Sequence, residues 1–131
     1  MSRICAASRR TLAFVAALDY FANTGVVHIA TDLRAGGEVE TPIWAVVVSG
    51  VPYVRSGYGP ESKWYRRATR TGHAAFVDGR QRYQAALAAV TDEPTLSAVD
   101  AAYRSKYAGQ SGTTEMVAPS ARGCTLRVDL E

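Results

Sequence analysis

The feature that most constrains the fold is a long β-strand pattern that runs directly into a tight turn. Residues 38–48 are rich in β-branched and apolar side chains on both alternating faces, which indicates a strand covered on both sides. Ser49-Gly50 is typical of a two-residue hairpin turn, and residues 51–56 supply the returning strand. We therefore expect neighbouring strands to pair in antiparallel fashion.

Hairpin signals and short helical segments alternate through the rest of the chain. Strands are predicted at residues 26–31, 38–48, 51–56, 73–77, 82–90 and 124–130. Helices are predicted over residues 1–22, with Phe14, Leu18 and Phe21 on one amphipathic face, over 63–70, and after Asp92, with Leu96, Val99, Tyr103 and Tyr107 on one face. Because no strand–helix–strand unit recurs, the order favours an α+β domain: a mainly antiparallel sheet closed into a small barrel, with flanking helices.

Length and composition are those of an ordinary globular domain. The 131 residues, 47% hydrophobic and 21% charged, suit a single domain spanning 1–131. No apolar run is long enough for a transmembrane helix, so no membrane partner is expected. Cys5 and Cys124 are too few for a disulfide framework or a zinc site, and a cytoplasmic location is the default expectation.

Most catalytic signatures are absent from the sequence. It contains no GxSxG, no GxxxxGK[ST], no HExxH and no CxxC. His28 and His73 lie far apart, and each is more typical of an ordinary strand residue than of a catalyst. Glu38 and Glu40 share a strand face beside a turn, where we expect them to be solvated rather than to act as a catalytic pair. No metal site is predicted.

Positive charge is concentrated in residues 55–82, which hold seven basic residues against two acidic ones. Within the short helix, four of them follow the spacing of one helical face and form a basic ridge: Lys63, Arg66, Arg67 and Arg70. Ser62 is the expected N-cap after a glycine-rich loop, and free N–H groups in a first helical turn bind anions. Aromatic side chains lie between these cations in the sequence. The pattern suits a planar ligand with a phosphate tail, but it also suits a solvated basic face above core aromatic residues.

Three segments resemble a family of small bacterial proteins similar to the FMN-binding split β-barrels, which include pyridoxamine-phosphate oxidases and deazaflavin-dependent reductases. The segments are Thr41-Pro42-Ile43-Trp44, Tyr53-Val54-Arg55-Ser56 and Lys63-Trp64-Tyr65-Arg66-Arg67-Ala68. A later helix over residues 99–107 and the last strand at 125–127 resemble the same family. The resemblance covers most of residues 26–130.

This resemblance implies a six-stranded split β-barrel, usually a homodimer, with a cofactor in a groove at the subunit interface. The residues it implies at the cofactor ring are Thr41, Pro42, Ile43 and Trp44, and those at the cofactor tail are Arg55, Ser56, Lys63 and Arg66, with Arg67 as a second choice. FMN and the deazaflavin F420 both stay open, because the chain lacks the paired Arg-Lys pattern of the oxidases. Tyr53, Tyr58 and Tyr65 are candidate proton donors, and nothing in the sequence selects among them.

The function that follows is an oxidoreductase that moves a hydride between a flavin or deazaflavin and a small organic substrate. The alternative is a non-redox enzyme, such as a cyclase or isomerase, or a ligand-binding protein that uses the same groove. A single-stranded nucleic-acid module is a third reading, because Trp64 and Tyr65 stand beside Arg66 and Arg67. The small net charge of +3 does not favour a nucleic-acid partner.

Overall fold

A computed structural model describes the backbone of residues 2–131 and the side chains of residues 12–131. The helices are α1 (Ser2–Asn23), α2 (Lys63–Thr71), α3 (Glu93–Lys106), α4 (Thr113–Met116) and α5 (Pro119–Arg122), with a 3₁₀ turn at Gly59–Glu61. The strands are β1 (Val27–Asp32), β2 (Glu38–Ile43), β3 (Ala45–Val48), β4 (Val51–Arg55), β5 (His73–Asp78), β6 (Gln81–Ala89) and β7 (Thr125–Leu130). Cys5 lies among the residues whose side chains are outside this description.

The strands form one curled antiparallel sheet in the order β2-β1-β5-β6-β7-β4-β3. The two edge strands, β2 and β3, are consecutive in the chain and are separated only by Trp44. Ile43 pairs with Val27 of β1, whereas Ala45 pairs with Val54 of β4. The chain therefore crosses from one edge of the sheet to the other at this residue, and the half-barrel stays open there.

This crossing corrects the predicted strand count from six to seven. Residues 38–48 are extended as predicted, but the strand is interrupted at Trp44 because its two halves pair with different neighbours. The α+β class and the antiparallel pairing are confirmed. The expectation that this segment is covered on both sides holds for Ala45 and Val46 but is wrong for β2, where Pro42 is exposed at the sheet edge.

Helix α1 has the predicted extent, but its apolar face is only partly covered. Phe21 is fully buried, Leu18 is half-buried, and Phe14 keeps 47% of its surface exposed. Instead, Ala17 and Tyr20 join Phe21 in the core, because the part of the helix nearest the sheet is its C-terminal half. Within the described residues no helix has both the length and the apolar character needed to cross a membrane.

Two clusters of buried side chains lie on the two sides of the open edge. The larger cluster fills the curled sheet and is closed by Phe21 of α1 and Trp64 of α2. The smaller one joins β3 and β4 to α3 through Val46, Tyr53 and Tyr103, with Trp44 packed against it. Residues from both clusters meet at the open edge, where the candidate site lies.

The hairpin turn at Ser49-Gly50 is confirmed by its backbone, since φ is positive at both residues (50° and 78°). Helix α2 ends as predicted at Gly72, a left-handed C-cap with φ 73°. Strand β6 forms although its Ala-rich sequence favours a helix, because it pairs with β5 on one side and with β7 on the other. The short helices α4 and α5 are absent from the sequence-based prediction, since four residues each give no periodic signal.

Candidate functional site

A cleft of about 690 Å³ opens where the sheet is split. Its walls come from the end of β2, the loop between β4 and α2, the first turn of α2, and the segment that leads into α4. The lining residues are Thr41, Pro42, Ile43, Trp44, Arg55, Gly57, Tyr58, Ser62, Trp64, Ser111, Gly112, Glu115 and Met116. Its size and mixed lining are those of a small-molecule site.

The Trp44 indole is the best-supported side chain of the cleft. It stacks on the Tyr107 ring, with centroids 4.1 Å apart and ring planes within 5° of parallel. The Tyr103 hydroxyl donates to the Trp44 carbonyl at 3.1 Å. A Cβ at Gly112 would lie 3.6 Å from the edge of the indole, so the loop before α4 also contacts it. The Tyr107 ring thus covers one face of the indole and Gly112 contacts its edge, while Trp44 also lines the cleft.

Helix α3 ends in two residues that fix the crossing from β2 to β3. The Tyr107 hydroxyl donates to the Gly25 carbonyl at 2.7 Å and accepts from the Ala45 N–H at 3.1 Å. Lys106 Nζ donates to the carbonyls of Phe21 at 2.6 Å and Ala45 at 2.7 Å. Desolvation raises the pKa of Tyr107 to about 12 and lowers the pKa of Lys106 to about 8. These bonds therefore join the end of α1 and the segment between β2 and β3 to the end of α3, whose Tyr107 ring supports Trp44.

Arg55 borders the cleft, but its guanidinium is buried and fully engaged with protein groups. Its side chain has no exposed surface, and its donors reach Thr125 Oγ1 (2.8 Å), Asp100 Oδ1 (2.5 Å) and two carbonyls, those of Met116 (3.1 Å) and Leu96 (3.0 Å). It also lies 5.6 Å from the centre of the Tyr103 ring. The buried cation is therefore compensated within the protein.

The first turn of α2 is the second feature of the cleft. Ser62 holds the predicted N-cap position with φ −60° and ψ 132°, but its hydroxyl makes no capping hydrogen bond. The first N–H groups of an uncapped helix lack a partner within the helix and attract anions. Ser62 and Trp64 line the cleft, so this end of the helix faces it.

The basic ridge does not lie together in the cleft. Lys63 is exposed, and Arg66, 68% exposed, lies 4.0 Å from Glu61. The other two arginines turn toward the end of β1, where Arg67 Nε donates to Thr31 Oγ1 at 2.8 Å and Arg70 donates to a main-chain carbonyl at 2.6 Å. The ridge therefore splits into two exposed cations beside the mouth of the cleft and two that pack against β1.

The predicted site residues fall into three groups. Those that line the cleft are Thr41, Pro42, Ile43, Trp44 and Arg55; those that lie outside its lining are Ser56, Lys63, Arg66 and Arg67. Ser56 is buried and donates to the Gly59 carbonyl at 2.6 Å, which shapes the loop before α2. The third group is the set of candidate tyrosines, which the fold separates.

Of those tyrosines, Tyr58 lines the cleft and is 93% exposed. Tyr53 packs in the smaller buried cluster. Tyr65 is partly buried, and desolvation raises its pKa. Tyr58 is therefore the one of the three candidates that can meet a molecule in the cleft.

Sequence reasoning missed one whole wall of the cleft, formed by residues 111–116. We call these residues the α4 wall. Ser111, Gly112, Glu115 and Met116 carry no recognisable motif, and only the main-chain path brings them to the cleft beside Trp44. Met116 packs closely against the loop between β4 and α2, since a Cβ at Gly57 in that loop would lie 2.7 Å from Met116 Sδ. A glycine in the loop before α2 was the one available signal of this close approach.

The histidines lie outside the cleft lining in the part of the chain described. His28 is exposed on β1, and His73 Nε2 lies 2.9 Å from a carboxylate oxygen of Glu131. Among the residues with described side chains, no group of three or more His, Cys, Asp or Glu is close enough to hold a metal ion.

Several solved structures share this fold. HutZ, the heme storage protein of Vibrio cholerae, superposes with a TM-score of 0.65 at 12% identity, over 86% of each chain. An inferred pyridoxamine 5′-phosphate oxidase of Listeria innocua gives 0.59 at 11% identity, over 90% of this chain and 91% of that one. The FAD-binding protein of Mycobacterium smegmatis gives 0.53 at 18% identity, over 85% and 84%. These likenesses confirm the predicted split β-barrel of the pyridoxamine-phosphate oxidase type.

Among curated proteins no sequence matches this chain. A family model does match it over residues 17–128, and its description reads "Uncharacterized protein conserved in bacteria (DUF2255)". The match spans the last turns of α1, strands β1 to β6, both walls of the cleft and the first four residues of β7. The chain therefore belongs to the bacterial DUF2255 family.

Proposed function

We propose that the protein binds FMN or the deazaflavin F420 in the cleft beside Trp44 and transfers a hydride between this cofactor and a small organic substrate. The observation that carries the proposal is that one cleft contains both the Trp44 indole, which is stacked on Tyr107, and the start of α2, which has no side-chain cap. An aromatic platform suits the ring of such a cofactor, and a helix N-terminus suits its phosphate.

The cleft fits the ring. About 690 Å³ lies within the range of small-molecule sites, and the Trp44 and Trp64 side chains both line it. Thr41, Ser62 and Ser111 add hydroxyl groups that can donate to or accept from ring heteroatoms. A flavin or deazaflavin supplies the hydride chemistry when bound, so the chain needs only to orient it and to exclude water.

The tail would lie along the first turn of α2. The backbone N–H groups there have no side-chain cap, and Lys63 is exposed in the same turn. Arg66 is also exposed, and its contact with Glu61 at 4.0 Å is weak enough to be exchanged for a ligand. These two cations, rather than Arg67, are free to move toward a phosphate.

Tyr58 is the proton donor that this arrangement favours. Its side chain reaches the cleft from the glycine-flanked loop before α2, and it is 93% exposed. The phenol can give its proton from Oη to a substrate carbanion.

The proposal includes a homodimer. On α1, Leu12, Phe14 and Val15 expose 67%, 47% and 54% of their surfaces, which leaves apolar side chains around this helix that a second copy can cover. Sedimentation equilibrium of the full chain tests this part, and a monomer at every concentration would remove it.

Fluorescence titration of the purified, ligand-free protein tests cofactor binding. FMN, riboflavin, oxidised and reduced F420, and hemin are added separately, and quenching of the two tryptophans is followed. We expect FMN or F420 to bind with Kd below about 100 μM, which corresponds to roughly −5.5 kcal/mol. Hemin belongs in the series because HutZ stores heme. Binding of hemin alone, or of none of these molecules, would refute the proposal.

The pair FMN and riboflavin tests the tail site, because the two differ only in the phosphate. The double variant Lys63→Ala/Arg66→Ala should weaken FMN about tenfold or more and leave riboflavin nearly unchanged. Arg104→Ala is the matched control, since Arg104 is an exposed arginine on α3 away from the cleft lining. An equal loss for both ligands would place the tail elsewhere.

A non-redox role has one observation in its favour. The cation that lines the cleft, Arg55, is neutralised by Asp100, while Glu115 adds an exposed carboxylate to the lining. Such a lining also suits an uncharged ligand of a cyclase, an isomerase or a carrier. A colourless purified protein that retains a non-flavin molecule in this cleft would favour this second candidate.

A further inference from the structure

Arg55 has the contacts of a residue that builds the cleft rather than one that holds a ligand. The resemblance to flavin-binding barrels implies a place at the cofactor tail, yet none of the Arg55 side-chain surface is exposed. A ligand phosphate could take this guanidinium only by displacing protein acceptors. Displacement would leave the Asp100 carboxylate, itself nearly buried, without one of its two arginine partners.

The partners of Arg55 lie on three different elements. Its Nε reaches Thr125 at the start of β7, and its terminal nitrogens reach Asp100 and the Leu96 carbonyl on α3. The remaining bond goes to the Met116 carbonyl, at the end of α4. The end of β4 is thus joined to the strand beside it, to the helix that supports Trp44, and to the α4 wall beside Trp44.

Packing contacts and hydrogen bonds hold the α4 wall to the barrel. Besides the bond from Arg55 to its carbonyl, Met116 packs against Gly57 and in the smaller buried cluster, and Gly112 contacts the Trp44 indole.

The helix that follows the wall is tied by Arg122, whose Nε donates to Asp100 at 2.8 Å. Asp100 therefore receives both arginines and joins α3 to the end of β4 and to α5.

We propose that Arg55 is a positioning residue: it holds the α4 wall in place at the edge of the Trp44 indole, and so sets the width of the cleft that receives the ring, without binding the phosphate. The inference rests on the proposed function for its ligand. It predicts that loss of the Arg55 contacts weakens a ring with a phosphate and the same ring without one to the same degree.

The variant Arg55→Lys tests this, because lysine keeps the charge but cannot make the four directed bonds at once. We expect FMN and riboflavin to lose affinity together, about tenfold each, with their ratio unchanged within about twofold. The tail-site variant Lys63→Ala/Arg66→Ala is the contrast, since it should change that ratio. A loss confined to FMN in Arg55→Lys would show that Arg55 binds the phosphate and would overturn the proposal.

A measurement on the ligand-free protein keeps the two proposals separate. Amide hydrogen exchange in Arg55→Lys should be faster in the α4 wall, including the Met116 N–H that bonds to the Gly112 carbonyl, and unchanged in α2. Unchanged exchange in the wall would overturn the positioning role, even if wild-type protein binds no flavin. Absence of flavin binding would in turn refute the proposed function and leave the exchange result standing.

A second variant covers the case in which Arg55→Lys does not fold. Thr125→Val removes the acceptor of the Arg55 Nε bond, together with the bond that the Thr125 hydroxyl donates to the Arg122 carbonyl, and keeps the side-chain volume. We expect the same pattern at smaller size: equal losses for FMN and riboflavin, and faster exchange in the α4 wall. A change in the FMN-to-riboflavin ratio, or a wall whose exchange does not respond, would contradict the proposal.

Discussion

Two sets of basic side chains adjoin the cleft, and they differ in how their charge is held. Lys63 and Arg66 on α2 are exposed, and the one ion pair between them and the described acids is a 4.0 Å contact. Arg55 is buried, with four hydrogen bonds to neighbouring elements. Exposed cations can rearrange around a ligand, whereas a buried and fully paired cation can only keep its surroundings in place. The comparison therefore assigns ligand binding to Lys63 and Arg66, and support of the cleft walls to Arg55.

The largest effect is expected when the hydrogen bonds of the buried Arg55 are removed. Arg55→Met should lower the free energy of unfolding by about 3 kcal/mol, because it leaves the Asp100 carboxylate with Arg122 alone and orphans the Thr125 and Met116 acceptors. Urea unfolding followed by circular dichroism measures this. Arg66→Met is the control and should stay within about 0.5 kcal/mol of wild type. Equal losses in the two variants would contradict the distinction.

A smaller effect is expected at the support of Trp44. Tyr107→Phe keeps the stack but removes the hydroxyl that bonds Gly25 and Ala45, which should cost about 1–3 kcal/mol. Tyr58→Phe should leave stability unchanged, because Tyr58 is 93% exposed. The same urea experiment compares the two. If Tyr107→Phe were neutral, the hydroxyl would not be part of the support.

The smallest effect concerns the two lysines of the chain, Lys63 and Lys106. Desolvation lowers the pKa of Lys106 to about 8, below the ordinary value of 10.5, so unfolding takes up a proton between these two pH values. Relative to a variant without this amine, the free energy of unfolding should therefore rise from pH 8 toward pH 10; buried tyrosines with a raised pKa, such as Tyr107, lower it for both proteins in the upper part of this range. The rise should be under about 1 kcal/mol, because the half-exposed amine is partly screened by water.

The variant Lys106→Met should lose this rise, whereas Lys63→Met should keep it. Urea unfolding at pH 8, 9 and 10 measures the three proteins. A rise of the same size in Lys106→Met would mean that another group carries the pH dependence.

Much of the fold could be predicted because its signals are local. Ser49-Gly50 marks its hairpin turn, Gly72 ends α2, and alternating apolar residues mark most strands. The candidate site could be predicted in part for the same reason: the segment from Thr41 to Trp44 is continuous in the chain, and it forms one side of the cleft.

The remaining predictions failed or stayed open where partners are distant in sequence. The strand break at Trp44 follows from pairing with β1 on one side and β4 on the other, and no property of residues 38–48 reveals it. The α4 wall has no motif at all. Phe14 was assigned to a buried face because helical periodicity shows which residues share a face, but not how far the covering sheet extends.

The sequence by itself determined the antiparallel pairing and the concentration of positive charge near α2. Only the tertiary structure decided which of those cations remain available. Arg55 and Arg66 are equally basic in the sequence, but the partners of Arg55 lie 41 to 70 residues away along the chain. Burial and pairing of a charge depend on such distant contacts, and these form only when the sheet closes around them.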